Sequence, residues 1–190
     1  MSDAAAKRRA QQTLRNLVLS LLASIGVMLL VVFVVPRDDS NRIQHVDYQK
    51  VGEQVTAASN VPLVIPQIPE GWWANSARWK SDASDGVATW YVGFVGPKGQ
   101  YIGLTQGFQT NPTWLALEIK TNVASGNFTV GNRSWTIYEN PVPGDQPKTR
   151  DYMICAKIGS DDILLYGTAS EADFKVFANS VNDQILKVYQ

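Results

Sequence analysis

The chain has 190 residues, with 17 basic side chains, 17 acidic ones and one histidine, so its formal charge at neutral pH is zero. That average hides a split: residues 1–16 carry four basic groups and one acid, whereas residues 36–190 carry thirteen basic groups and sixteen acids. A mildly acidic domain without a basic stripe argues against nucleic acid as a partner, and a single cysteine, Cys155, excludes an internal disulfide.

Residues 1–13 are polar and basic and read as a cytoplasmic tail, loose or a frayed extension of the segment that follows. Residues 14–36 read as a transmembrane anchor. Leu17 to Val35 is nineteen residues without a charge, fourteen of them Leu, Ile, Val or Phe. As a helix it spans about 28 Å, close to the hydrocarbon thickness of a bilayer. Those side chains favour insertion by at most about 4–8 kcal/mol. A cleaved signal peptide calls for a shorter apolar run followed by small residues. Here the run ends in Phe33-Val34-Val35-Pro36-Arg37, so an uncleaved anchor is expected. Lys7, Arg8, Arg9 and Arg15 precede it, which places the N-terminus in the cytoplasm and residues 37–190 outside. Ser20, Ala23 and Ser24 put small side chains on one stripe, where another helix can approach closely. Small residues are also common in spanning helices for no such reason.

Residues 37–46 read as a short tether and 47–190 as one extracytoplasmic domain. About 150 residues suffice for a real core, and six Trp, seven Tyr and six Phe in the chain help to fill it. Asp47 is expected to cap a helix reaching about Ala58. Pro62, Pro66 and Pro69 make residues 61–72 an extended strap, because each removes a backbone donor. Alternation then predicts strands over 72–80, 87–95 and 101–108, the last two joined by a turn at Gly96-Pro97-Lys98-Gly99. In the first of these, Trp73, Ala77 and Trp79 are expected to share a face. Asn111-Pro112-Thr113 opens a helix to about Val123.

The order then recurs. Residues 134–139, 151–158 and 161–168 read as strands, with a tight turn at Gly159-Ser160. Ser170 caps a final helix, with Asp173 at the capping-box spacing. Phe174, Phe177, Val181, Ile185 and Val188 form its apolar stripe. The expected class is α+β: an antiparallel sheet with flanking helices gathered on one face. A duplicated strand-strand-strand-helix unit is one account of the order. Chance ordering within an ordinary α+β fold is the other. Residues 140–150, with three prolines and no periodicity, form the long loop.

Pro66-Gln67-Ile68-Pro69-Glu70-Gly71-Trp72, Ser76-Ala77-Arg78 and Tyr166-Gly167-Thr168-Ala169-Ser170, together with the single anchor, resemble the actinobacterial family filed as domain of unknown function 4245. The resemblance covers nearly the whole chain. It implies a single-pass envelope protein and brings no catalytic residues.

The residues themselves offer little chemistry. His45 lies in the tether without local partners for a metal site or a triad. Cys155 sits between Ile154 and Ala156 in a strand, the setting of a small hydrophobe rather than a reactive thiol. Gly159-Ser160-Asp161-Asp162 reads as a hairpin turn, lacking the strand-turn-helix elbow of a nucleophile. Asp38 and Asp39 read as a solvated pair. No cofactor and no metal are expected. Adjacent Trp72 and Trp73 point to opposite sides of a strand, so one of them meets the strap or a contact surface. The candidate interaction residues are therefore Ser20, Ala23, Ser24, Trp72 and Trp73. The expected function is non-catalytic: a tethered interaction module, or an accessory subunit of a larger membrane complex such as a respiratory or cell-envelope assembly. Its partners are the bilayer and another membrane or envelope protein. One alternative is a domain that binds a lipid or small apolar ligand between sheet and helices. An enzyme is the other.

Overall fold

The computed structural model of the protein describes residues 2–34, 44–81, 85–142, 144 and 148–189. The chain forms two compact units, Met1–Arg42 and Ile43–Gln190. The first contains one helix, α1 (Ser2–Val34), continuous through the basic stretch at its start. Its segment Gln11–Val34 has mean hydropathy 2.9 and buries nothing within the unit. It is the one helix among the described residues long and apolar enough to cross a membrane. Asp38 and Asp39 lie outside the described residues.

The second unit begins with α2 (Tyr48–Ser59). Asp47 caps it as expected, its carboxylate accepting from the Lys50 backbone amide at 3.1 Å. The proline strap follows. Seven antiparallel strands then build one sheet: β1 (Trp73–Lys80), β2 (Thr89–Val95), β3 (Tyr101–Gly107), β4 (Val123–Val130), β5 (Arg133–Glu139), β6 (Tyr152–Ile158) and β7 (Asp161–Gly167). Their order across the sheet is β1-β2-β3-β7-β6-β5-β4. Two meanders therefore meet at the centre, where β3 pairs antiparallel with β7. Helix α3 (Pro112–Ile119) links β3 to β4, and α4 (Glu171–Val188) closes the chain. The Ser170–Asp173 capping box is formed in both directions.

The main core lies on one face of the sheet. Trp90, Val92, Phe94, Ile102, Leu104, Ile154, Ile163 and Leu165 project from the strands and meet Phe174, Phe177, Val181 and Ile185 of α4, with Tyr48 of α2 and Leu63 and Val64 of the strap. Buried Gln106 stitches this layer together. It accepts from the Val64 amide at 2.8 Å and donates to the Pro62 carbonyl at 2.9 Å and the Tyr189 hydroxyl at 2.8 Å. Tyr189 in turn donates to Asp161 at 2.6 Å. A strap without ladder partners thus has its backbone groups met by side chains: Gln106 at Pro62 and Val64, Tyr48 donating to the Pro66 carbonyl at 2.7 Å and Ser180 to the Gln67 carbonyl at 2.6 Å.

The helices are not all on one face. Trp114 of α3 packs with Val87, Met153, Cys155, Leu164 and Tyr166 on the opposite side, with Leu115 and Ile119 beside them. Gly107 makes room for it, since a Cβ there would fall 2.5 Å from the Trp114 ring. This bears on duplication. A two-fold axis exchanging antiparallel neighbours β3 and β7 stands normal to the sheet and returns each face to itself. It would place the helix after β3 on the same side as the helix after β7. The strand order suits a doubled meander, and the helix positions break it.

Three local readings differ from the sequence expectation. β1 carries a bulge between Ala74 and Ser76. One extra residue reverses the alternation, so Ala74, Ala77 and Trp79 face the core side while Trp73 leaves it. Helix α3 ends at Ile119, four residues short of the expected Val123, where Lys120 takes φ +54. The chain then turns and enters β4 at Val123, a strand that periodicity missed. β4 is an edge strand, exposed over most of its length, and carries Ser125, Gly126 and Asn127 instead of an apolar alternation.

Candidate functional site

The sheet face that carries α3 is only partly covered. Between α3 and β1 it opens into a groove of about 650 Å³, lined by Arg78, Lys80, Thr89, Tyr91, Thr105 and Tyr166, with Glu118 and Arg150 at its α3 side. Tyr91 and Thr105 are cross-strand partners on β2 and β3. Tyr166 comes from β7 next door. The aromatic rings lie across glycines. A Cβ at Gly103 would stand 2.8 Å from the Tyr166 ring, and one at Gly93 would stand 3.0 Å or less from the Tyr91 and Tyr101 hydroxyls. Strand glycines here serve close approach.

Two guanidinium groups lie over rings of this floor. Arg78 lies over the Tyr91 ring at 4.9 Å. Arg150 lies over the Tyr166 ring at 3.8 Å. The planar guanidinium tolerates such stacking while its edge N–H groups stay available for other partners. Arg150 is also fixed from behind, donating to the Glu118 carboxylate at 2.7 Å and the Glu118 carbonyl at 3.0 Å. Its own carbonyl accepts from Asn122 at 2.7 Å. Arg150 ends the proline-rich loop, whose described ends are stapled. Asp151 accepts from the Asn140 side chain at 2.9 Å and the Lys148 amide at 2.8 Å. The Asn140 bond, then the Lys148 amide, hold the Asp151 carboxyl below its ordinary range. Tyr91 and Tyr101 hydroxyls contact each other. Thr105 donates to the Tyr166 hydroxyl at 3.4 Å. Burial pushes both Tyr101 and Tyr166 up from the ordinary tyrosine range.

A second cleft, about 690 Å³, runs on the other side of the sheet between α2, the strap and the end of α4. Ala57, Val61, Pro62, Leu63, Ile65 and Val188 make its wall mostly apolar. Between the sheet and α4, by contrast, Trp90, Phe94, Phe174 and Phe177 fill the layer and are fully buried.

The residues singled out from sequence fall apart in space. Ser20 and Ser24 border a shallow groove on α1 with Leu17 and Leu21. The Ser24 hydroxyl donates back to the Ser20 carbonyl at 3.0 Å, so its donor is satisfied within the helix. Ala23 lies one position away on the same stripe. Trp72 is a core residue, edge-on to Phe177 at 4.8 Å. Trp73 is half-buried on the far side of the bulge, with His45 stacked on it at 4.1 Å. His45 thus lies against β1 instead of hanging in a tether, and Val46 donates to the Ala74 carbonyl at 2.8 Å. Among the described residues no group of three His, Cys, Asp or Glu side chains is placed to hold a metal ion.

Cys155 is buried. Its thiol is pushed up to about 12, first by burial and then by the Asp162 carboxylate 3.9 Å away. At pH 8 its thiolate population is expected to be about a thousandfold below that of a free thiol. An aromatic disulfide reagent should therefore label the native protein negligibly and the urea-unfolded protein completely. Because the folded value lies above the unfolded one, the proton is held more tightly in the native state. Stability from this group falls as pH rises from about 9 towards 12.

None of Arg78, Tyr91, Thr105, Arg150 and Tyr166 was singled out as a site from sequence. Arg78 and Tyr166 do lie in the stretches that carry the family resemblance. Their convergence comes from strand order, which pairs residues far apart in the chain.

The sequence model of a family described as "Protein of unknown function (DUF4245)" matches residues 9–181. The chain belongs to this family. No curated protein and no solved structure matches it. The DUF4245 match runs from within α1 into α4, so it takes in the apolar helix and the sheet together.

Proposed function

We propose that this DUF4245 chain is a non-catalytic, single-pass membrane protein of the cell envelope. Its N-terminus is cytoplasmic and its C-terminal domain is extracytoplasmic. It acts as an interaction module, or as an accessory subunit of a larger membrane complex such as a respiratory or cell-envelope assembly. The observation that carries the reading is α1. It presents a 24-residue apolar segment, none of it buried within its unit, directly after a basic stretch. Such a surface is stable in a bilayer and costly in water. Ser20, Ala23 and Ser24 supply the stripe through which a neighbouring helix would pack.

The test is purification of the full chain from its native membranes in mild detergent, with mass spectrometry of whatever co-elutes. A membrane protein recovered at near-equal stoichiometry supports the reading. Recovery of an isolated monomer, or a soluble mature form lacking residues 14–36, overturns it. An apolar ligand remains the second reading, favoured by the cleft beside the strap. Its occupant would be a lipid co-extracted with that monomer, displaced by substituting Ile65 and Val61 with Asp.

A further inference from the structure

The groove between α3 and β1 has a charge that the domain does not share. Residues 36–190 are net acidic by three. Yet Arg78, Lys80 and Arg150 converge on this groove, with Glu118 the single acid lining it. Glu118 is already committed to Arg150 at 2.7 Å. Among the described residues neither Arg78 nor Lys80 has an acidic partner within salt-bridge distance. Lone cations on a surface are ordinary. Two guanidinium groups seated over tyrosine rings at 4.9 and 3.8 Å, one of them clamped from behind, are preorganised, and preorganised donors lose less freedom when a ligand arrives.

Strand spacing sets the scale. β2 and β7 flank β3, and Tyr166 pairs with Gly103 where Tyr91 pairs with Thr105, so the two tyrosines stand two strand spacings across and two residues along, roughly 12 Å apart. Thr105 lies between them on β3. A compact anion seated over Thr105 would meet Arg78 on one shoulder and Arg150 on the other. The Tyr166 hydroxyl accepts from Thr105, which leaves its own O–H to donate. The donors available on these two shoulders and the floor outnumber the two oxygens of a carboxylate. A phosphate monoester presents three terminal oxygens and close to two charges, which matches the surplus of two cations. A volume of about 650 Å³ suits a small organic ligand.

We propose that this groove is a binding site for a phosphoryl group carried on a small organic molecule or lipid headgroup, held by Arg78 and Arg150 above the Tyr91–Thr105–Tyr166 floor. Lys80 adds long-range attraction at the rim. This inference is independent of membership in a larger complex, since it needs only the groove.

The experiment is calorimetric titration of the full chain in nonionic detergent with glycerol 1-phosphate, and separately with mixed micelles containing phosphatidic acid, whose headgroup is a phosphate monoester, or phosphatidylcholine. Arg78→Gln is the primary variant. Among the described residues Arg78 makes one side-chain hydrogen bond, to Ser76 at 3.0 Å, so the fold does not rest on it. Arg150→Lys keeps the charge but loses the planar stack, and Lys175→Gln on α4 is the control. Loss of one guanidinium contact should weaken binding about 10- to 100-fold, with Lys175→Gln unchanged and the melting temperatures of Arg78→Gln and Lys175→Gln preserved. Binding of glycerol 1-phosphate assigns a soluble phosphate ester. Binding of phosphatidic acid micelles alone, lost in Arg78→Gln, assigns a lipid headgroup. The proposal is overturned if neither binds, if Arg78→Gln binds like wild type, or if succinate binds more tightly than glycerol 1-phosphate. Repeating the native-membrane purification with Arg78→Gln separates the two readings. A stoichiometric partner retained by a variant that has lost phosphate affinity leaves the complex intact and the ligand site distinct from it.

Discussion

Phe177→Ala is expected to cost the C-terminal domain about 3–5 kcal/mol, the range for removing a large aromatic side chain from a packed core. Phe177 is fully buried and joins three layers. It meets Trp72 edge-on at 4.8 Å and Phe94 at a tilt at 5.3 Å. Phe94 in turn meets Tyr48 of α2 edge-on at 5.2 Å. One ring thus ties α4 to the turn before β1, to the end of β2 and, through it, to α2. Three of those partners are rigid aromatics, which fill a vacated volume poorly, so most of the cavity would persist. Equilibrium urea unfolding of the full chain in detergent measures the effect, together with the slope of the transition. The midpoint should fall with the slope unchanged, and the thermal midpoint should drop by roughly 6–20 °C. A loss below about 1 kcal/mol would mean that α4 does not pack on the sheet in this register. Lys175→Ala, on the exposed side of the same helix, should stay within about 0.5 kcal/mol.

Gly167→Ala is expected to be comparably damaging for the addition of a single methyl group. A Cβ at Gly167 would stand 1.9 Å from the Tyr101 carbonyl oxygen and 2.7 Å from its carbon. These are backbone atoms, so no rotamer change relieves the clash. Moving them means parting β3 from β7, where Gly167 pairs with Ile102 and the Thr168 amide donates to the same Tyr101 oxygen at 3.0 Å. Overpacking of this kind typically costs about 1–3 kcal/mol even where side chains can give. Here about 3 kcal/mol or more is expected. Gly159→Ala makes the contrast. That residue has φ +58 but open space around it, so only the left-handed backbone is penalised, at about 1 kcal/mol. If the two variants unfold at the same urea concentration, the close approach of β7 to β3 is wrong.

What the sequence made legible follows from where the physics is local. Asp47, Asn111 and Ser170 cap helices as their types demand, each accepting from a backbone amide in the first turn. The run from Leu17 to Val35 carries no charge and no polar face, and α1 covers it as far as Val34. β2, β3, β6 and β7 are central strands with strong apolar content, and alternation finds them. β4 escaped because an edge strand has little to bury. The bulge at β1 escaped because nothing in Trp73-Ala74-Asn75-Ser76 marks where the alternation reverses, so Trp73 was assigned the wrong side. The cationic groove was illegible for a different reason. Arg78, Thr105, Arg150 and Tyr166 become neighbours only through pairing of β3 with β7, and no local pattern announces a partner so distant in the chain.

That same pairing dictates an order of assembly. The two meanders are each local, with neighbouring strands joined by connections that can close early. The seam between them needs β7, the last strand made, to insert beside β3 and occupy the sheet's centre. While the chain is being synthesised, the first meander therefore waits with the edge of β3 unpaired and with Ile102 and Leu104 lacking their eventual cover. Closing so large a loop is slow, and an unpaired strand edge invites wrong neighbours in the interval. The domain should thus acquire protection from amide exchange at β3 and β7 together, late and in one step. Any truncation removing the final thirty residues would leave two separate ribbons instead of a shortened sheet.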